Sequence, residues 1–179
     1  MNIERFINKS SFQIQKSIIG LFAYVNSRLY MRLYNGLLKR NGFKMNGLPR
    51  FIAKSARFDD FNSITLGDRL VVSMNVHFLT HDYSYTTALI AIGEQPETDI
   101  GVLREIIIGN NVFIGMNSLL LPGTKIGNHV IIGAGSIVRG TIADYSIVAG
   151  NPAVVIGDIR TLAEKIKRRE GQKLNVDKS

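Results

Sequence analysis

The chain has 179 residues, of which 45% are hydrophobic and 20% charged, ordinary values for one soluble globular domain with appendages. It contains no cysteine, which excludes disulfide bridges, thiolate metal sites and cysteine nucleophiles and is compatible with a cytoplasmic location. The net charge of +8 is concentrated at the ends, because residues 1–50 hold nine Lys and Arg against one acid and residues 51–154 hold six against nine. The central region lacks the basic, aromatic-rich face of nucleic-acid binders. An anionic membrane surface or cofactor phosphates therefore suit the basic ends better.

Residues 3–41 are predicted to be helical, because their apolar residues recur at three- and four-residue spacing with basic residues between them. The longest uncharged run, Ser17 to Ser27, has eleven residues, about half the length that a transmembrane helix needs. The charged residues Glu4, Lys9 and Lys16 also argue against a signal peptide. Two interpretations remain. The apolar face packs on the end of the fold or on a neighbouring subunit, or it lies as a basic amphipathic helix on an anionic membrane.

A six-residue repeat begins near Ile52 and becomes strict in the second half of the chain. Every sixth residue there is aliphatic, at Ile108, Ile114, Leu120, Ile126, Ile132 and Val138. Four residues after each of these comes a small or β-branched residue, at Val112, Ser118, Thr124, Val130, Ser136 and Ile142. A period of six is neither helical nor the alternation of a half-buried strand. It indicates a parallel β-helix, in which each repeat forms one short strand and a corner.

The repeat is interrupted once and then followed by a helical tail. Its frame is lost after Phe78 and resumes in phase at Ile108, thirty residues later, so residues 82–105 are predicted to form a protruding, irregular acidic loop. Asp158 is predicted to cap a C-terminal helix that ends before Gly171. The expected organisation is a helical segment at 1–48, a β-helix domain at 49–157, and a helix and tail at 158–179.

Three runs of this sequence resemble the left-handed β-helix acyltransferases, which include maltose, galactoside and capsule or lipopolysaccharide O-acetyltransferases. The runs are Ile108–Gly115, Leu121–Val138 and Val148–Ala153. The resemblance implies an all-β core, a left-handed parallel β-helix shaped as a triangular prism, with N-terminal amphipathic helices and a short C-terminal helix. It also implies an O-acetyltransferase that moves an acetyl group from acetyl-CoA to a hydroxyl of a saccharide or saccharide precursor. Such proteins are homotrimers with their sites between neighbouring prisms, and no metal is expected.

His81 is the candidate general base. The acyltransferase family places its catalytic histidine where the chain leaves the prism, and His81 occupies that position here. Independently, imidazole is the side chain whose ordinary pKa suits proton transfer near neutral pH. Asp60 and Asp82 are the candidate residues to position the acceptor or the imidazole. The serine that follows the glycine of the second hexad in the galactoside enzyme is replaced by Met116, which leaves the oxyanion donor unassigned.

The coenzyme of this family lies in a groove between two subunits, against the late coils. The matching positions are Phe113, Met116, Ala134, Gly135, Ser136 and Arg139. Small side chains at 133–136 permit close approach of a pantetheine arm to the backbone. Gly140 stands where many relatives have a lysine that binds coenzyme phosphates. Arg139, Arg160 or Lys165 is the candidate replacement for that lysine.

Two other functions compete with acyl transfer. A metal-dependent hydratase resembling the γ-class carbonic anhydrases would need three histidines around one metal. The chain has only His77, His81 and His129, and their spacing does not match such a site. A non-catalytic, membrane-associated scaffold is suggested by the basic amphipathic N-terminus.

Overall fold

The computed structural model describes the backbone of residues 3–176 and the side chains of residues 9–170. The α-helices are α1 (Ile3–Gly20), α2 (Ser27–Arg40), α3 (Ser84–Ala91) and α4 (Ile159–Val176), and short 3₁₀ turns span Leu21–Tyr24 and Phe61–Ser63. The strands are β1 (Lys44–Asn46), β2 (Phe51–Ile52), β3 (Arg57–Phe58), β4 (Ile64–Gly67), β5 (Val71–Val72), β6 (His77–Phe78), β7 (His81–Asp82), β8 (Val102–Leu103), β9 (Ile106–Ile108), β10 (Phe113–Ile114), β11 (Leu119–Leu120), β12 (Lys125–Ile126), β13 (Ile131–Ile132), β14 (Ile137–Val138), β15 (Thr141–Ile142), β16 (Ser146–Gly150) and β17 (Ala153–Asp158).

The short strands stack into three parallel sheets that form the faces of a prism. The first face has the order β1-β4-β9-β12-β15, the second β16-β13-β10-β5-β2, and the third β14-β11-β6-β3. The chain visits the three faces in turn, so each coil contributes one strand to each sheet. The second face is extended by β17, which pairs antiparallel with β16.

The strict hexads form the core of this prism, as their period predicts. All six aliphatic residues from Ile108 to Val138 are buried, with 3% or less of their surface exposed. Burial of one such side chain contributes about 1.5–3 kcal/mol. The residues four positions later are also buried, and Ser118, Thr124 and Ser136 satisfy their hydroxyl groups by donating to backbone carbonyls at the corners. The repeat therefore fixes both the apolar interior and the turns between strands.

A glycine directly follows four of the six buried aliphatic residues, at Gly109, Gly115, Gly127 and Gly133. These glycines allow close packing of successive coils and do not adopt an unusual backbone conformation. A Cβ atom added to Gly115 would lie 2.5 Å from the backbone nitrogen of Ala134 in the next coil. The left-handed conformation of the corners is instead adopted by other residues, such as Asn111 (φ 54°) and Asn117 (φ 59°). Asparagine tolerates positive φ better than most residues.

The N-terminal helices cover the first end of the prism. The hydroxyl group of Tyr30 donates to the carbonyl of Ile52 at 2.6 Å, and the buried Lys16 ammonium donates to the carbonyl of Ala56 at 2.5 Å. Helix α2 and the α1 residue Lys16 thus pack on the first coil. That coil begins earlier than the hexads indicate, because β1 already pairs with β4 through Met45 and Leu66.

The interruption after Phe78 is more ordered than expected. Residues 82–105 leave the prism and return to it, and we call this segment the excursion. It contains helix α3, and β7 and β8 pair antiparallel at its base. The expectation of an irregular loop was wrong in this respect. At the other end, Asp158 accepts a hydrogen bond from the backbone N–H of Arg160 at 2.8 Å, as expected for a helix cap, but α4 continues past Gly171 to Val176. Over the part of the chain that the structure describes, no helix has the length and apolar character needed to cross a membrane.

Candidate active site

The β7–β8 pair holds His81 at the root of the excursion. Strand β6 ends at Phe78, and the backbone N–H of Leu79 still bonds to the carbonyl of Leu120 in the next coil. Two residues later, His81 pairs with Leu103. The backbone N–H of Arg104 donates to the carbonyl of Thr80 at 2.9 Å. The departing and returning chains are therefore joined directly beside His81, which fixes its backbone relative to the prism.

The imidazole of His81 is paired with Asp59, which belongs to the preceding coil. Its Nδ1 atom lies 2.6 Å from Oδ2 of Asp59. Asp59 is brought there by the pairing of β3 with β6, which aligns Phe58 with Phe78. The buried hydroxyl of Thr80 lies 3.3 Å from the same carboxylate oxygen. His81 and Asp59 are both only partly exposed, with 19% and 26% of their side-chain surfaces accessible.

Asp59 is suited to remain an ionised acceptor. Burial raises the pKa of its carboxyl group, but the hydrogen bond from His81, the charges of His81 and Lys9, and the backbone N–H of Thr80 together outweigh burial and lower it. The Lys9 ammonium lies 4.0 Å from Oδ1 of Asp59. An ionised carboxylate can only accept hydrogen bonds, so Nδ1 of His81 carries the proton. Nε2 is then the nitrogen that can accept a proton from a ligand.

His81 lines an open cavity of about 440 Å³ at one edge of the prism. The other lining residues come from the excursion and from the corners after β11 and β14; they are Leu79, Asp82, Arg104, Leu121, Pro122, Gly123, Arg139 and Gly140. Asp82 accepts a hydrogen bond from the backbone N–H of Ser84 at 2.9 Å. Hydrogen bonds from Ser84 and the charge of Arg104 hold the pKa of Asp82 below its ordinary value.

Asp60 is placed differently from the expectation. It is buried, accepts a hydrogen bond from the hydroxyl of Ser63 at 2.8 Å, and lines a separate cavity of about 350 Å³ with Lys9 and Arg40. The acidic residue that orients the imidazole is thus Asp59, not Asp60. The sequence carried a signal for this choice, because Phe58 and Phe78 both occupy core positions of adjacent coils, which places Asp59 beside the chain that leads to His81.

The predicted coenzyme residues separate into two groups. Met116, Ala134 and Gly135 meet at the corner that follows the second face, where the N–H of Gly135 donates to the carbonyl of Met116 at 2.8 Å. Phe113 precedes this corner on β10 and is exposed, as is Met116. Arg139 instead lies on the edge that carries His81. The hydroxyl of Ser136 is buried, donates to the carbonyl of Gly133 at 2.6 Å and accepts from the backbone N–H of Gly150, so it is already used within the prism.

The other two histidines lie away from this cavity. His77 lies on β6, between Arg57 and Leu119 of the neighbouring strands. His129 occupies a corner and stacks on Tyr145, with ring centroids 5.1 Å apart. No group of three His, Cys, Asp or Glu side chains that could hold a metal ion is found within residues 9–170, whose side chains the structure describes.

Comparison with known proteins identifies the family. Residues 105–140 match the family described as bacterial transferase hexapeptide (six repeats). Protein CapG of Staphylococcus aureus is 35% identical over 146 residues, an alignment that covers 75% of this chain and 82% of CapG. The chain belongs to the bacterial hexapeptide-repeat transferases.

A second relative of this hexapeptide-repeat transferase carries a functional description. The putative lipopolysaccharide biosynthesis O-acetyl transferase WbbJ of Escherichia coli K12 is 32% identical over 127 residues. The alignment covers 64% of this chain, and the chain spans 65% of the length of WbbJ.

The solved structure of a galactoside acetyltransferase in complex with coenzyme A shares the fold of this hexapeptide-repeat transferase. The TM-score is 0.52 at 22% sequence identity, with 84% of this chain and 82% of the other covered. Together with the three parallel sheets, the family match confirms the predicted left-handed parallel β-helix.

Proposed function

We propose that this hexapeptide-repeat transferase is an acetyl-CoA-dependent O-acetyltransferase whose acceptor is a saccharide or a saccharide precursor of a surface polysaccharide. The observation that carries the proposal is the pair formed by His81 and Asp59, which faces an open cavity at the root of the excursion. The relatives support the reaction class, since WbbJ is described as an O-acetyl transferase of lipopolysaccharide biosynthesis. The galactoside acetyltransferase with the same fold binds coenzyme A, which supports the choice of donor.

In this mechanism His81 acts as the general base. Nε2 of His81 removes the proton of the acceptor hydroxyl as its oxygen attacks the carbonyl carbon of the acetyl thioester. The tetrahedral intermediate then collapses with cleavage of the carbon–sulfur bond, and the imidazolium returns its proton to the departing thiolate. The products are the O-acetylated saccharide and free coenzyme A, and His81 ends in its starting state.

Asp59 is a positioning residue for this step. Its hydrogen bond to Nδ1 keeps the proton on that nitrogen and directs Nε2 to the cavity, and its negative charge stabilises the imidazolium that forms during the reaction. Thr80 and Lys9 hold the carboxylate from two further directions. The carboxylate is thus fixed before substrate arrives, which lowers the reorganisation needed in the transition state.

The donor is proposed to lie against the corner formed by Met116, Ala134 and Gly135. Gly115 packs so closely on Ala134 that no side chain fits between these coils, and the outer surface there is free for a pantetheine arm. Phe113, with 43% of its surface exposed, is an apolar contact next to this corner. The corner lies on a different edge from His81, so a homotrimer, in which a neighbouring prism supplies the second wall, is proposed to complete the site.

A peripheral membrane contact is also proposed, on the cytoplasmic face. Helix α1, the 3₁₀ turn and the residue that follows the turn expose Ile14, Ile18, Leu21 and Val25, with 71% of Leu21 and 86% of Val25 accessible. These residues lie in the segment that carries nine basic residues and one acid, a combination suited to anionic lipid. Co-sedimentation with phosphatidylglycerol vesicles tests this contact. The variant with Ile18→Glu and Leu21→Glu is expected to lose binding, and equal binding by both proteins would remove the proposal.

The reaction itself is tested by release of the coenzyme A thiol from acetyl-CoA in the presence of sugars and nucleotide sugars. We expect thiol release to depend on acceptor and to match, mole for mole, the alkali-labile acetyl ester formed on the sugar. Thiol release that no acceptor accelerates above the hydrolysis blank would contradict the proposal. The oligomeric state is measured on the same sample by light scattering, where a trimer is expected.

A further inference from the structure

The cavity of His81 contains two guanidinium groups that the acyl-transfer chemistry does not require. Arg104 comes from the end of the excursion, and Arg139 from the corner after β14. We propose that these two arginines bind an anionic group, a carboxylate or a phosphate, on the acceptor, so that the enzyme acetylates acidic saccharides. This inference rests on the proposed acetyl-transfer function and names its substrate class.

Arg104 is held in place for such a role. Its backbone N–H bonds to Thr80, the residue before His81, and its Nη2 atom donates to the hydroxyl of Tyr85 on α3 at 2.6 Å. The aliphatic part of its side chain passes the Gly123 corner, where an added Cβ atom would lie 3.4 Å from Cδ. Hydrogen bonds thus hold Arg104 at its backbone and at its guanidinium, in the cavity that His81 also lines.

Arg139 supplies the second positive charge. Strands β6, β11 and β14 are successive neighbours in the third sheet, so the Arg139 corner lies about 10 Å along the prism from the strand before His81, at roughly 4.8 Å per strand. The span suits an acceptor whose hydroxyl meets His81 while its anionic group reaches Arg139. Guanidinium groups bind carboxylates and phosphates with paired hydrogen bonds.

The charge balance of the cavity favours an anion. Asp82 is the one acid among the described residues that line it, and its Oδ1 atom already accepts from Ser84. Over residues 9–170, whose side chains the structure describes, neither Arg104 nor Arg139 has a carboxylate within 4.0 Å. The charge of Arg104 acts on Asp82, but the two guanidinium groups outnumber this one carboxylate, and the resulting positive charge attracts a negatively charged ligand.

The coenzyme phosphates are a poorer match for this pair. The acetyl carbonyl must lie at the acceptor hydroxyl, next to His81, and the phosphates stand at the opposite end of the pantetheine arm. The other predicted coenzyme residues, Met116, Ala134 and Gly135, occupy a different edge of the prism. Arg139 lines the cavity of His81 instead, so the KM for acetyl-CoA of an Arg139 variant distinguishes the two ligands.

The test compares matched neutral and acidic sugars as acceptors of the full-length enzyme: glucose with glucuronic acid and glucose 1-phosphate, and galactose with galacturonic acid. We expect kcat/KM to favour the acidic member by about tenfold or more, since a hydrogen bond to a charged group is worth roughly one to two such factors. The variants Arg104→Gln and Arg139→Gln should raise KM for the acidic acceptor by a similar factor with a much smaller effect on KM for its neutral partner. Lys167→Gln, on the exposed helix α4, serves as the charge-matched control.

Equal or better use of the neutral sugars overturns the inference, and so does an increase of KM for acetyl-CoA instead of the acceptor in the arginine variants. Binding is measured independently through the NMR signals of the His81 ring during titration with glucuronate or glucose. If no sugar is acetylated, the proposed function fails, and the titration still decides the inference. Saturable shifts caused by glucuronate and weakened in Arg139→Gln support it, whereas equal responses to both sugars contradict it.

Discussion

Nδ1 of His81 lies 2.6 Å from Oδ2 of Asp59, although the two residues are 22 positions apart in the chain. The contact exists because β3 and β6 are neighbours in the third face of the prism. The contact joins the first coil, through the residue that follows β3, to the root of the excursion that leaves the second coil. The imidazole at the root of the protruding segment is thereby oriented by the prism.

The first prediction concerns the orientation of the imidazole by Asp59. Asp59→Asn is expected to lower kcat by roughly 10²-fold or more, because a misoriented or wrongly protonated imidazole loses much of the contribution of a general base. The KM for acetyl-CoA should change little.

Asp60→Asn is the matched control for this variant, because the neighbouring carboxylate binds Ser63 and lines the other cavity. It should leave kcat near the wild-type value. A large loss of kcat in Asp60→Asn, with none in Asp59→Asn, would show that the wrong carboxylate has been assigned.

The second prediction concerns Lys16, a residue of α1 that is buried against the first coil with 6% of its surface exposed. Burial, and to a smaller extent the charge of Arg57, lowers the pKa of Lys16 from 10.5 to about 8. Between these two values the folded protein has released a proton that the unfolded chain still binds, so the free energy of unfolding rises with pH across this window. The rise is about 3 kcal/mol when the whole shift is counted.

Lys16→Met should abolish this rise, and Lys39→Met, which removes an exposed ammonium on α2, should retain it. Urea unfolding at pH 7.5, 9 and 10.5 measures the three proteins under matched conditions. Parallel pH dependence in wild type and Lys16→Met would contradict the burial of a charged Lys16 in the folded state.

The third prediction concerns the hexad core. Ile132→Ala is expected to lower the free energy of unfolding by about 2–5 kcal/mol, because it leaves a cavity between coils that cannot collapse. Met74→Ala, at a corner where 54% of the residue is exposed, should change it by less than about 0.5 kcal/mol. Chemical denaturation of both variants checks this, and similar losses at the two positions would be inconsistent with the predicted inside and outside of the prism.

The core could be predicted from sequence because a six-residue period assigns every position to the interior, the corner or the outer surface. The six aliphatic residues from Ile108 to Val138 confirm this assignment one by one. The first coil was harder to find, since Met45 precedes Ile52 by seven residues rather than six and breaks the frame. Helix α3 was also missed, because its sequence, Ser-Tyr-Thr-Thr-Ala-Leu-Ile-Ala, carries little amphipathic pattern and none of its residues is fully buried.

The candidate site was predictable in part. The loss of the repeat after Phe78 located the excursion, and with it His81. The six-residue period does not distinguish Asp59 from Asp60, because both lie in a segment that departs from the repeat. The register of Phe58 with Phe78 decides that Asp59 meets His81. The coenzyme residues remain predictions, since their site is proposed to need a second prism.

The most direct test of the account is the rate of acetyl transfer by His81→Ala. With acetyl-CoA and the best acceptor of the panel, kcat/KM should fall by about 10²–10⁴-fold, while the circular dichroism spectrum and the oligomeric state match those of the wild-type protein. A correctly folded His81→Ala enzyme that keeps near-wild-type kcat/KM would contradict the central claim.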